Sequence, residues 1–352
     1  MRRFIITISA CALFAQCVWA QKTTVALNDS IELQYEIISE TNKTARITKV
    51  VLATLSRLTI PSDIDGFHIV EIGAQACYMD ANLIEAVIPN GVIEIQHEAF
   101  RDCTNLEKLS LPPSLRQIGK GAFAGCALRE VILPDGVQSI GAAAFSGNYY
   151  LESINLPQEL KFIGSRAFAW SQIKEICIPE VIETIEADAF RSCSRLERVI
   201  IPKFLKRLEP MTFNNCTNLQ EIVCNIMQPD EIHKTVFGQW DVVALEGFRT
   251  GEDYVTISTS IEYYCYRIKG DFSSVYPTAT LRVPKGTKAQ YEATPEWNRF
   301  AHIVEMDDTG IGSPSMVNGQ CSMFHDLQGR RLTQEPQQGV FIRNGRKVVK
   351  GN

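Results

Sequence analysis

Histidine is scarce in this chain, and the patterns that would put it to chemical use are missing. Its five copies, His68, His97, His233, His302 and His325, stand apart, none in an H-E-x-x-H pair and none beside a serine or cysteine set for nucleophilic attack. Zinc or redox centres of the C-x-x-C kind are excluded too, because no two of the eleven cysteines have that spacing. There is no glycine-rich phosphate cradle. Asp63-Ile-Asp-Gly66 lacks the further ligands and the distal glutamate of a calcium loop, so it reads as a turn. Positive charge is not in surplus: 35 Lys and Arg face 40 Asp and Glu, a formal net charge of -5, which removes the basic stripe that nucleic acid or an anionic bilayer would require. Beyond residue 20 no apolar run reaches the roughly 18 residues of a membrane-spanning helix. These absences leave no catalytic residue, metal or cofactor to nominate, and they argue against a hydrolase.

Repetition is what the chain has instead. Aligned on a closing phenylalanine, the units end at Phe100, Phe123, Phe145, Phe168, Phe190, Phe213 and Phe237, at intervals of 23, 22, 23, 22, 23 and 24 residues, with Cys77 in the same place 23 residues before the first. Five residues upstream stands an aliphatic column, Ile72, Ile95, Ile118, Ile140, Ile163, Ile185, Leu208 and Ile232. A small residue precedes most of these closing positions, from Ala76 before Cys77 and Ala99 before Phe100 to Ala189, which demands close packing there. Prolines mark an earlier corner at Pro61, Pro89, Pro112, Pro134, Pro157, Pro179 and Pro202. A period of about 20 to 29 residues with fixed aliphatic positions is the signature of a leucine-rich solenoid. One unit cannot bury its apolar face alone, so stability lies between stacked rungs, where each buried aliphatic or aromatic side chain contributes about 1.5–3 kcal/mol.

Within a rung, Leu106 to Pro112 reads as a short strand, with Leu109 and Leu111 inward and Lys108 and Ser110 outward by period-two alternation, ended by a proline that lacks the ladder donor. Stacked in parallel, such strands turn their outward residues into columns. The central column is Val87, Ser110, Ile132, Asn155, Cys177, Ile200 and Val223; its neighbour is Glu85, Lys108, Glu130, Ser153, Glu175, Arg198 and Glu221. From these columns the candidate binding residues are Val87, Lys108, Ser110, Glu130, Ile132, Asn155, Glu175, Cys177, Arg198, Ile200, Glu221 and Val223.

The unit resembles that of the BspA-type leucine-rich repeat proteins of bacterial surfaces, with Leu106, Leu109, Leu111, Pro112, Leu115, Ile118, Ala122, Phe123 and Cys126 falling on the family's pattern one by one. The resemblance implies a β-rich leucine-rich repeat solenoid of short parallel strands in 22–23 residue units, exported, non-catalytic, and engaged in protein–protein interaction or adhesion to host or matrix macromolecules. The alternative is a glycan-binding accessory protein of a polysaccharide-use system. Its partner, protein or glycan, is not identified by the sequence.

Around the array, residues 1–20 form an export signal, with Arg2 and Arg3, an apolar run from Phe4 to Cys17 and Val18-Trp-Ala20 ahead of Gln21; Gln16 before Cys17 disfavours lipid attachment. Residues 21–60 are expected to form a β-hairpin cap from Ile31–Ile37 and Ala45–Val51, and 61–239 the array. Residues 240–278 are an insertion rich in tyrosine, 279–308 a terminal repeat, 309–317 a linker. The tail 318–352 carries the hairpin signal Asn344-Gly345 and resembles the carboxy-terminal sorting regions of type IX export in Bacteroidetes, so the destination is outside the cell or on the outer membrane. Cys103, Cys126, Cys193 and Cys216 follow the phenylalanines by three residues and are expected to be small, buried, free thiols, leaving outward Cys177 as the reactive one.

Overall fold

The computed structural model describes residues 22–28, 31–52, 56–209, 211–229, 278–295 and 297–306, together with short strands between 316 and 350. The expected export signal, Ile232, Phe237 and all but the last residue of the expected insertion lie outside the described residues. Among the described residues no helix is long and apolar enough to cross a membrane.

The chain begins with an antiparallel cap: β1 (Lys22–Asn28), β2 (Ile31–Ser39) and β3 (Thr44–Leu52). The hairpin of β2 and β3 is as expected, and β1 adds a strand that the sequence pattern did not suggest. Alternation decides which face is covered. Leu33, Tyr35, Ala45 and Ile47 are buried while Glu32 is exposed. The cap is tied to the array by backbone pairing of β3 with the segment Phe67–Ile72 and by the Tyr35 hydroxyl, which donates to Asp65 at 2.9 Å. Two array strands follow, β4 (Arg57–Thr59) and β5 (Asp63–Ile64), and the latter turns back into β6 (Phe67–Ile72) through Asp65 and Gly66, both at positive φ (51° and 83°). Left-handed backbone at both central residues is what a two-residue hairpin turn needs, so the Asp-x-Asp-Gly stretch is a turn.

Each rung then has three segments. The first is the leucine strand: β7 (Glu85–Val87), β9 (Lys108–Ser110), β11 (Glu130–Val131), β13 (Ser153–Ile154), β15 (Glu175–Cys177), β17 (Arg198–Ile201) and β19 (Glu221–Cys224). The second carries the aliphatic column: β8 (Glu94–Ile95), β10 (Gln117–Ile118), β12 (Ser139–Ile140), β14 (Phe162–Ile163), β16 (Thr184–Ile185) and β18 (Arg207–Leu208). Between them the proline carbonyl accepts from the residue three along, as in Leu115 N–H to Pro112 at 3.1 Å, which closes the corner. With β3 and β6, the second series makes one unbroken sheet whose parallel register sets Ile72 beside Ile95, Ile118, Ile140, Ile163, Ile185 and Leu208.

The third segment is a stack of consecutive turns around the phenylalanines. Residues two before and two after each phenylalanine are left-handed, among them Glu98, Asp102, Arg166 and Trp170 (φ 56°, 57°, 56° and 62°). This geometry aims alternate N–H groups along the array, so that Glu98, Phe100 and Asp102 donate to the carbonyls of Lys120, Ala122 and Ala124 at 2.7–2.8 Å. The bonds to the next rung offset a backbone strain of roughly 1–2 kcal/mol per left-handed non-glycine residue. Inside, the rings from Phe100 to Phe213 are stacked with centroids 5.2–5.7 Å apart and planes within 13°. The preceding alanines are fully buried and leave room for them.

After the last described rung, β20 (Thr280–Val283) pairs in parallel with β19, and a short helix α1 (Lys288–Ala293) leads to β21 (His302–Glu305). Tyr291, Trp297, Phe300 and Ile303 are buried against the core, with Trp297 edge-on to Tyr291. In the tail, Gly339–Arg343 and Arg346–Lys350 pair antiparallel with Arg343 opposite Arg346, the register of the expected two-residue hairpin connection.

Candidate functional site

The leucine strands should make one continuous sheet, yet they form three: β4-β7-β9, β11-β13 and β15-β17-β19-β20-β21. The interruptions have a cause in the chain. Between Cys103 and Leu106 two residues intervene, but only Ala127 separates Cys126 from Leu128, and only Gln172 separates Ser171 from Ile173. In a full-length turn Glu107 and Lys108 both donate to Ile84. In the shortened turns Ala127 reaches Leu106 and Gln172 reaches Leu151 instead, at 3.1 and 2.9 Å, so the strand enters out of step with its predecessor. The two 22-residue units are the two places where the ladder breaks. Leu109 and Leu111, at the first break, are only partly buried, unlike Val131 and Leu133 on the next rung.

Along the charged column acidic and basic residues are interspersed, and in its C-terminal half the charges neutralise one another. Arg198 lies 3.3 Å from Glu175 and 2.6 Å from Glu221, and Arg282 pairs with the other oxygen of Glu221. Such a cross-strand ladder supports the sheet. Near the first break the column is open: Lys108 and Glu130 are exposed and, among the described residues, have no ion-pair partner. Ser110 and Ser153 are exposed beside them, and Ile132 is 39% exposed.

The central column departs from expectation in three ways. Asn155 is half-buried and spends its side chain on the neighbouring rung, donating to the Leu133 carbonyl at 2.9 Å and accepting from its N–H at 2.7 Å. Cys177 is disulfide-bonded, so it does not offer the reactive thiol that its outward position suggested. Ile200 and Val223 stand outside the core cluster on strands β17 and β19, yet they are only 4% and 0% exposed, so neither presents apolar surface to a partner. Their register with Cys177 keeps them in one column, but a place in that column is not the same as exposure. Val87 remains half-exposed. The candidate residues therefore divide into an open group around β9 and β11 and a closed group from Asn155 onward.

The cysteine column is structural. Each sulfhydryl donates to the carbonyl at the phenylalanine position of the preceding rung: Cys103 to Cys77, Cys126 to Phe100, Cys193 to Phe168 and Cys216 to Phe190, at 2.9–3.3 Å. Asn148 takes the same place between Cys126 and Cys193 and caps both Phe123 and Phe145. All four cysteines are free and buried, as expected. Burial pushes the Cys103 thiol up to about 12 and those of Cys77 and Cys126 well above the ordinary range, which makes them poor nucleophiles.

One surface escaped the sequence reading because it lies on the turns, not the strands. Tyr149 and Tyr150 occupy a full-length turn flanked on both sides by the shortened ones, and they are 62% and 56% exposed; Trp170, on the next rung, is 38% exposed. Their signal was available as bulky aromatics at repeat positions held elsewhere by Gly125, Gly147, Thr104 and Asn105. Among the described residues no group of histidine, cysteine, aspartate and glutamate is arranged to hold a metal ion.

The repeat is matched by the profile of the BspA type Leucine rich repeat region, in six copies over residues 70–197 and 139–269. No curated protein matches the chain. Among solved structures, a leucine-rich repeat protein of T. pallidum is similar at 29% identity, over 55% of this chain and 81% of that one, with a TM-score of 0.44. A leucine rich cell surface protein of Faecalibacterium prausnitzii is similar at 17% identity over 85% and 99% of the two chains (TM-score 0.41). A leucine-rich repeat protein of Bacteroides ovatus is similar at 22% over 57% and 71% (TM-score 0.28).

Proposed function

Because the chain belongs to the BspA-type leucine-rich repeat family, whose profile spans residues 70–269, we propose that it is an exported, non-catalytic protein that recognises another protein through the outward face of its leucine strands, in the manner of an adhesin. The observation that supports this reading is the open stretch around Lys108, Ser110, Glu130 and Ile132, where charge and apolar surface are left unsatisfied on a face that is saturated farther along. A rigid stacked scaffold loses little ordering entropy on binding, and opposite charges on adjacent rungs would orient the partner. The export signal at 1–20 and the tail resembling a type IX sorting region fit this assignment. Loss of surface display on deleting 318–352 would check the role of the tail.

The test is a pull-down of the full chain against arrayed matrix proteins and mucins. Saturable binding to one of them, lost in the double variant Lys108→Glu with Glu130→Lys while the far-ultraviolet circular dichroism is unchanged, is the expected result. Binding that survives this double reversal would refute the assignment of the open stretch.

A further inference from the structure

Beyond the strand face, we propose a second site, for an uncharged saccharide, on the turn face at Tyr149, Tyr150 and Trp170. Backbone bonds from rung to rung place Asp102, Gly125, Gly147 and Trp170 in one row, since Asp102 donates to Ala124, Gly125 to Ser146 and Gly147 to Ala169 at 2.7–2.9 Å. The two glycines remove the side chains between Asp102 and Trp170. A Cβ on Gly147 would meet only the backbone of Gly125, at 3.7 Å, and the Asp102 carboxylate lies over the Gly125 α-carbon. The result is a shelf from Gly125, where the Asp102 carboxylate sits, to Trp170, two rung spacings or roughly 10 Å long, with the tyrosine turn along its edge. That length suits a pair of pyranose rings.

The chemistry favours a sugar over a charged ligand. One face of a pyranose carries polarised C–H groups that lie well on the negative face of an aromatic ring, and a carboxylate accepts from two neighbouring hydroxyls. The carboxylates around the shelf are already paired with cations. Arg101 is paired with Glu98 at 2.6 Å and Asp102 at 3.3 Å, and Glu152 with Arg195 at 2.9 Å and Lys174 at 3.1 Å. The Arg129 guanidinium covers a face of Tyr150 at 5.4 Å.

The experiment is affinity electrophoresis of the full chain through gels containing neutral glucan, mannan, xylan or galactan, with an acidic polysaccharide as a separate lane. At least one neutral gel should retard the chain, with retardation reduced at least tenfold by Trp170→Ala or Tyr149→Ala and largely kept by Trp170→Phe. The strand-face variant Lys108→Glu with Glu130→Lys should migrate as the unaltered chain does, which separates this site from the protein-binding face. No retardation in any neutral gel, retardation only in the acidic one, or retardation indifferent to Trp170→Ala would each overturn the proposal.

Discussion

Asn155 lays its side-chain amide along the backbone of Leu133, accepting from its N–H at 2.7 Å and donating to its carbonyl at 2.9 Å, and so extends the two-stranded ladder of β11 and β13 by one more rung contact. Both Leu133 groups depend on that amide. Asn155→Ala should cost about 1–3 kcal/mol of stability, since two polar backbone groups lose their partner. Asn155→Asp, which cannot donate, should fall between the two. Urea unfolding of the three proteins checks the order, and an unchanged midpoint for Asn155→Ala would show that water substitutes fully.

The phenylalanine stack gives the largest expected effect. Phe168 is fully buried between Phe145 and Phe190, at 5.7 and 5.2 Å. Replacing it with alanine should cost about 3–5 kcal/mol, and because rungs contact only their neighbours, amide protection should fall first in the adjacent rungs. Hydrogen exchange resolved by peptide would show whether the loss is local or spread along the array.

Charge substitutions should separate support from display. Arg198 bridges Glu175 and Glu221 with 17% of its side chain exposed, and Arg198→Ala is expected to lower stability by about 1 kcal/mol. Ile200→Asp should be worse, because it places a carboxylate at a site only 4% exposed. Lys108→Ala, at an exposed position, should stay within about 0.5 kcal/mol. Thermal denaturation of the three variants tests the ranking.

Burial holds the Cys103 thiol up to about 12 and that of Cys224 up to about 11, against an ordinary value of 9.0. The folded chain therefore keeps protons that the unfolded chain releases, so the stability these groups contribute is present below about pH 9 and is lost as the pH rises toward 12. The urea midpoint should fall over that window, less so in Cys103→Ala once its own lower stability is subtracted. Iodoacetamide at pH 8 should leave Cys103 and Cys224 unmodified in the folded protein and label both after unfolding, as read by peptide mapping.

The break between β9 and β11 can be tested by repair. Inserting an asparagine between Ala127 and Leu128 restores the turn length found after Cys103, and the Glu130 amide should then join the ladder and exchange more slowly. If its exchange is unchanged, the shortened turn is not the cause of the break.

Periodicity alone specified the solenoid. The phenylalanine, aliphatic, proline and cysteine positions recur because each must meet its own copy one rung away, a constraint local enough to be written in every unit, and the intervals of 22 already marked the rungs that interrupt the leucine strands. Alternation likewise set which strand residues face outward. Whether an outward residue is available was decided only by the tertiary structure, for it depends on what the neighbouring rungs place beside it. Arg198 is spent on two glutamates, Asn155 on the Leu133 backbone and Cys177 on a disulfide, while Lys108 and Glu130 remain open beside a broken ladder. Those are relations between residues 22 or more positions apart, and no single unit contains them.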